Sequence, residues 1–166
     1  DKWIDIQLNR VNRHIKEYKV WAYCDKFNSD QHKHKFHFCG PGGDKVATFN
    51  ASTDSVKLGR FGNHWVKLNS LTKMVLDDEH TKEDDLIIWL DSDAFPVNDV
   101  DDYLTSKLDT NPFLAIVRTE NAGDIIPHPS FACTTVEFCR KHNLDWRNIR
   151  RAKYGMDDVG GYLYKY

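Results

Sequence analysis

Asp91 and Asp93 stand one residue apart, on either side of Ser92 and directly after the apolar run Leu86 to Leu90. A continuous apolar run of five residues reads as a strand covered on both faces, as in a parallel or mixed sheet. Ligands of open α/β sheets gather at the carboxyl ends of such strands. If the chain stays extended through Ser92, both carboxylates point roughly the same way and face one cation, directly or through water. Carboxylate and phosphate oxygens are hard ligands suited to Mg²⁺ or Mn²⁺. A cation held there against two phosphates offsets the charge that grows as a nucleoside diphosphate departs, which is Lewis-acid chemistry. The plainer alternative is a polar exit from a strand into a turn, where Asp and Ser are common. The preceding strand and the following Ala94, Phe95 and Pro96 favour the cation.

Elements of both kinds are needed to position these residues. Ile4, Leu8, Val11 and Ile15 recur at helical spacing and predict an amphipathic helix over about 4 to 17. A strand is expected over 19 to 24 and a second over 35 to 39, before Gly40 to Gly43 break the chain. Residues 44 to 62 read as loop and short strand. Asn63 is a candidate cap for a helix to about Asp78 carrying Trp65, Leu68, Leu71, Val75 and Leu76. Beyond strand 86 to 90, a short helix over 99 to 108 and a strand over 113 to 117 follow. Residues 123 to 131 form a loop, and Thr134 with Glu137 makes a capping box for a helix over 135 to 142. The alternation predicts an α/β chain in a single domain, with about 1 to 98 as its first half and about 99 to 166 as its second.

Composition sets the limits on partners. A chain of 166 residues, 40% hydrophobic with five Trp, nine Phe and seven Tyr, can bury one sizeable core. The charged share of 29% and the mean hydropathy of -0.63 fit a soluble chain. Lys and Arg total 23 against 25 Asp and Glu, so no large positive field collects nucleic acid, which is excluded as a partner class. No stretch approaches the ~20 apolar residues that span a bilayer. The chain opens on Asp1 without a signal peptide, which leaves cytoplasm and secretory lumen both open. Cys24, Cys39, Cys133 and Cys139 lack close pairing, so buried free thiols are expected, with one or two disulfides if the protein is lumenal. His32, His34 and His37 lie among lysines that oppose a cation, and a solvated loop is the reading there.

The run Ile88-Trp89-Leu90-Asp91-Ser92-Asp93-Ala94 resembles the DxD segment of GT-A glycosyltransferases. With Trp65, Lys67 and Leu68 it is similar to the xyloglucan xylosyltransferase and galactomannan galactosyltransferase group, over about residues 60 to 98. The resemblance implies a GT-A-like, Rossmann-like sheet, mixed and mainly parallel, flanked by helices. It implies a UDP- or GDP-sugar donor held through Asp91, Ser92 and Asp93 with Mn²⁺ or Mg²⁺, Asp93 being the first choice as direct ligand. Sugar would pass to a hydroxyl of a glycan or glycoprotein acceptor. On the nucleotide side it points to Tyr23 and Asp25 for base and ribose, and to Arg60 and Lys67 for the diphosphate, whose charge they match.

Asp157 and Asp158 resemble the acidic pair that opens an acceptor-side helix in inverting GT-A enzymes, where one carboxylate takes the proton of the attacking hydroxyl. The following Gly160 and Gly161 depart from that pattern but let an acceptor approach closely. In the 123 to 131 loop, Asp124 suits donor-sugar hydroxyls and His128 suits acceptor or phosphate. Trp146 offers a flat face for a sugar ring, although a Trp is more commonly core. Two rivals remain from other classes. A haloacid dehalogenase-like phosphatase also sets two Asp after an apolar strand, but Phe95 stands where that family usually has Thr or Val. A non-catalytic module could bind a sugar nucleotide or glycan on the same fold.

Overall fold

The computed structural model describes residues 2–24, 33–41, 62–118, 126–147 and 159–166. It is a mixed α/β chain that divides into two compact units, residues 19–78 and residues 1–18 with 79–166.

In the unit 19–78, β1 (Trp21–Cys24) and β2 (Phe38–Pro41) pair in parallel, from Trp21 opposite Phe38 to Cys24 opposite Pro41. The second strand starts three residues later than its aromatic content predicts, because Lys33–Lys35 closes a 3-10 turn instead. Helix α2 (Gly62–Asp77) packs on β1. Leu68 is buried, as its helical spacing requires, and Thr72 is buried one turn on with its hydroxyl returned to the Leu68 carbonyl at 2.8 Å. Asp78 ends the helix with a largely buried carboxylate that meets His37 Nε2 at 3.0 Å and Lys19 Nζ at 3.6 Å. The ring of His37 also packs on Trp21, with centroids 4.6 Å apart. His37 is exposed, as is His34, and it also holds these contacts within the unit.

The other unit holds α1 (Lys2–His14), β3 (Leu86–Leu90), α3 (Asp101–Leu108), β4 (Phe113–Arg118), β5 (Ile126–Thr135), α4 (Val136–His142) and a closing 3-10 helix (Gly161–Lys165). Its sheet has the order β3-β5-β4, and both pairings are antiparallel. This corrects the expected setting of residues 86 to 90. A continuous apolar run reports burial on both faces and carries no information about the direction of the neighbouring strand. The burial is graded by face: Ile87 and Trp89 are buried, while Leu86, Ile88 and Leu90 are half-buried. A mainly parallel sheet is thus not what the described residues form; the parallel ladder among them is β1 with β2.

The core of this unit gathers around β5. Ala132, Cys133, Val136, Cys139 and Trp146 are fully enclosed, and Trp146 meets Trp89 edge-on with centroids 5.3 Å apart. The helix after β5 is capped one residue later than predicted. Thr135 is the N-cap and its hydroxyl accepts from Phe138 N at 3.1 Å, while Thr134 faces the interior and donates to the Pro112 carbonyl. Thr134 alone has a glutamate three residues on, but its side chain faces the interior, and the neighbouring Thr135 takes the cap with Phe138 in place of the glutamate. The first amides of α4 donate to the carbonyls of Asp85 and Glu83, and Asn143 closes the helix in the left-handed region at φ 47°.

Candidate functional site

Asp91 leaves the end of β3 and the chain does not stay extended. Residues 91 to 94 form a turn closed by a hydrogen bond from Ala94 N to Asp91 O at 3.0 Å. Asp91 is thus the first and Asp93 the third residue of a turn, the plainer of the two expected readings, and strand alternation does not align their carboxylates. Asp91 is half-buried, and Ser92 and Asp93 are exposed. A half-buried carboxylate beside an exposed one is a fitting donor set for Mg²⁺ or Mn²⁺, which bind through one or two carboxylates and complete their shell with water and substrate phosphate. Among the described residues no group of three or more His, Cys, Asp and Glu could hold a metal ion by itself.

Helix α1 lies along the segment that follows the turn. Gln7 Nε2 donates to the Asp91 carbonyl at 2.7 Å and to the Ala94 carbonyl at 2.8 Å. One turn on, the Arg10 guanidinium sits 6.0 Å from the centre of the Phe95 ring, at the limit of a cation–π contact. A further turn on, His14 Nδ1 lies 3.0 Å from Asp99 Oδ1, and the His14 carbonyl accepts from Val100 N at 3.3 Å. Residues 7, 10, 11 and 14 share one helical face, on which Val11 is buried. Gln7 is the functional candidate that sequence reasoning missed. It stands at the i+3 place of Ile4, inside the apolar stripe of an amphipathic helix, but residue type alone does not name its partners.

The sheet brings a second candidate to the same end. The last ladder pair of β3 is Leu90 with Phe131, so Ser130 follows on β5 at the end where Asp91 leaves β3. His128 lies two residues further along. The pair is locked: His128 Nδ1 accepts from Ser130 N at 3.2 Å and lies 2.8 Å from Ser130 Oγ. An Nδ1 that accepts a backbone amide has its proton on Nε2 when the ring is neutral.

Residues 126 to 131 thus belong to a strand and not to the predicted loop. The strand is irregular: between Ala115 opposite Ala132 and Ile116 opposite His128, one step on β4 spans four on β5, a bulge that takes in Pro129, while Pro127 stands in the ladder opposite Val117.

Two other expectations are corrected. Trp146 is fully buried, so its face is not open to a sugar ring. Enclosing an indole removes on the order of 200 Å² from water, roughly 5 kcal/mol at about 25 cal/mol/Å², ample reason for it to stay in the core. Gly160 gives its space to the protein's own backbone rather than to an acceptor. It sits at φ 91°, donates to the Trp146 carbonyl at 3.0 Å, and a Cβ there would stand 2.3 Å from the Pro127 carbonyl oxygen. Lys67 is half-buried in α2, and Tyr23 contributes its backbone to β1. Asp25, Arg60, Asp124, Asp157 and Asp158, and the side chain of Tyr23, lie outside the described residues.

The thiols of Cys133 and Cys139 are free and buried, as expected, and burial pushes each from the ordinary 9.0 up to about 12, with Cys133 adding to the shift of Cys139. They stay protonated and serve as packing groups. No helix among the described residues is long and apolar enough to cross a membrane. The chain matches no protein-family model, no curated protein and no solved structure.

Proposed function

We propose that this chain is a metal-dependent glycosyltransferase that moves a sugar from a nucleoside-diphosphate sugar, a UDP- or GDP-sugar, to a hydroxyl of a glycan or glycoprotein acceptor. One observation carries the reading. The Asp91-Ser92-Asp93 turn sits at the carboxyl end of a buried strand, is clasped from outside by Gln7, and shares its end of the sheet with His128 and Ser130. A two-carboxylate set of this kind suits a cation whose remaining ligands come from a diphosphate and water. When bound, the cation supplies a positive charge that offsets the charge growing on the departing diphosphate.

The residues around it have separate tasks. Asp93, which is exposed, would be the direct ligand of the cation, and Asp91 would support it from a half-buried position. His128, its Nδ1 engaged by Ser130, would contact donor or acceptor through the rest of its ring. If transfer inverts configuration, Asp157 or Asp158 takes the proton of the acceptor hydroxyl, with Asp158 preferred.

A thermal-shift panel of UDP, GDP and their sugars, with Mn²⁺ and with excess chelator, tests the reading. A ligand that binds the native state alone raises the melting temperature, by about 2.7 kcal/mol of stability at one hundred times Kd. The expected result is a rise with one nucleotide class and Mn²⁺ together and none with either alone. An equal rise in chelator would remove the cation from the argument, and no rise with any nucleotide would remove the donor. Binding without transfer or hydrolysis over a broad acceptor panel would make the chain a binding module.

A further inference from the structure

We infer that Gln7 is a positioning residue for the Asp91-Ser92-Asp93 turn, setting the geometry on which its affinity for a divalent cation depends; the inference rests on the metal-dependent reading above. One amide group spends both of its hydrogens on this turn, reaching the carbonyl of the first residue at 2.7 Å and that of the fourth at 2.8 Å. Two carbonyl acceptors also fix which way the amide points, since its own oxygen would face them with repulsion. The Asp91 carbonyl is held twice, by Gln7 and by Ala94 N at 3.0 Å, so the turn is closed from within and braced from outside.

The brace matters because the middle of the turn faces water. Ser92 and Asp93 are exposed, and a four-residue turn in water has several conformations of similar energy. A small hard cation demands near-fixed ligand geometry, so each alternative conformation lowers the fraction of molecules ready to bind. Gln7 reaches the turn from α1, and α1 is anchored further along by Val11 and by His14 on Asp99 and Val100. A glutamine suits the task better than its relatives: asparagine is one methylene short, and glutamate would set a carboxylate against two carbonyl oxygens.

The test compares Mn²⁺ binding, in the presence of UDP or GDP and read by titration calorimetry and by the Mn²⁺ electron paramagnetic resonance signal, in wild type, Gln7→Met, Gln7→Glu and Val11→Ala. Gln7→Met keeps length and helix preference and removes both donors. Val11→Ala loosens the same helix without touching the turn. The expected result is about a tenfold loss of Mn²⁺ affinity in Gln7→Met and a larger loss in Gln7→Glu, from two hydrogen bonds of modest net worth each. Val11→Ala should lower the melting temperature and leave Mn²⁺ affinity within about twofold of wild type. Should Gln7→Met fail to fold, Gln7→Asn, which keeps the donors but falls short, must show the same loss. Unchanged Mn²⁺ affinity in the Gln7 variants, or an equal loss in Val11→Ala, overturns the positioning role and leaves the carboxylate site standing. No Mn²⁺ binding by wild type with either nucleotide overturns both.

Discussion

Asp93 and Asp91 differ in what they hold besides a ligand. Asp91 is half-buried and its backbone carbonyl anchors the turn twice, whereas Asp93 is exposed. Replacing Asp93 with Asn should therefore remove Mn²⁺-dependent nucleotide binding while leaving the ligand-free melting temperature at the wild-type value or above it, because substitutions at exposed positions usually stay within ±0.5 kcal/mol. Calorimetric titration and scanning calorimetry on one preparation check both halves of this. Normal nucleotide binding by a destabilised variant would make Asp93 a structural residue. The carboxylate pair was legible in the sequence because residue type and the preceding strand suffice to suggest it. Gln7 was not, since its partners are backbone carbonyls 84 and 87 positions away and no residue type marks a carbonyl as an acceptor.

Elements show the same division. The helix after β5 was predicted from one Thr and is capped by its neighbour, and Pro127 and Pro129 predicted a loop where a bulged strand runs. Both differences arise where a local signal was correct in kind and tertiary packing chose its register. The Val159 to Leu163 segment makes the point energetically. Gly160 combines a left-handed φ of 91° with a Cβ position 2.3 Å from a backbone oxygen of β5, and backbone cannot swing aside as a flexible side chain can. Gly160→Ala should cost at least about 1–3 kcal/mol, the range for strain held by surrounding structure. It should appear as a lower urea midpoint at unchanged slope. An unchanged midpoint would mean that the closing segment does not dock on β5 through this glycine.

For the molecule as a whole, the buried thiols make a prediction about pH. Their pKa lies near 12 in the fold against 9.0 for an ordinary thiol, so the unfolded chain releases these protons first as pH rises. The unfolded state then binds fewer protons than the native one, and stability must fall with pH above about 9. The contribution of the thiols is complete below pH 9 and is lost progressively toward pH 12. Urea midpoints measured at intervals from pH 8 to 11 should fall more steeply in wild type than in Cys133→Ala with Cys139→Ala, although the double variant begins less stable. Equal slopes would mean that the thiols are reached by water in the native state. Native Cys133 and Cys139 should likewise resist thiol reagents at pH 8, since little thiolate forms.

What the sequence determined by itself was most of the elements, the central strand β5 excepted, and the residue types at their ends. Hydrophobic spacing marked the helices near 4 to 17, 63 to 78 and 99 to 108 and the strands near 86 to 90 and 113 to 117, and the acidic residues after Leu90 marked a candidate cation site that was expected on an extended segment and lies on a turn. Periodicity reports which face of an element is buried, and that is a local property of the chain. Strand direction, the cap chosen between two threonines, the burial of Trp146, the occupant of the space beside Gly160 and the brace from Gln7 were decided by the tertiary structure alone. Each depends on a partner distant in sequence, and several of those partners are backbone groups that every residue carries alike. The physical reason is that side-chain pattern encodes burial, while the choice among equally buried arrangements is made by hydrogen bonds and close contacts that form only once the elements have met.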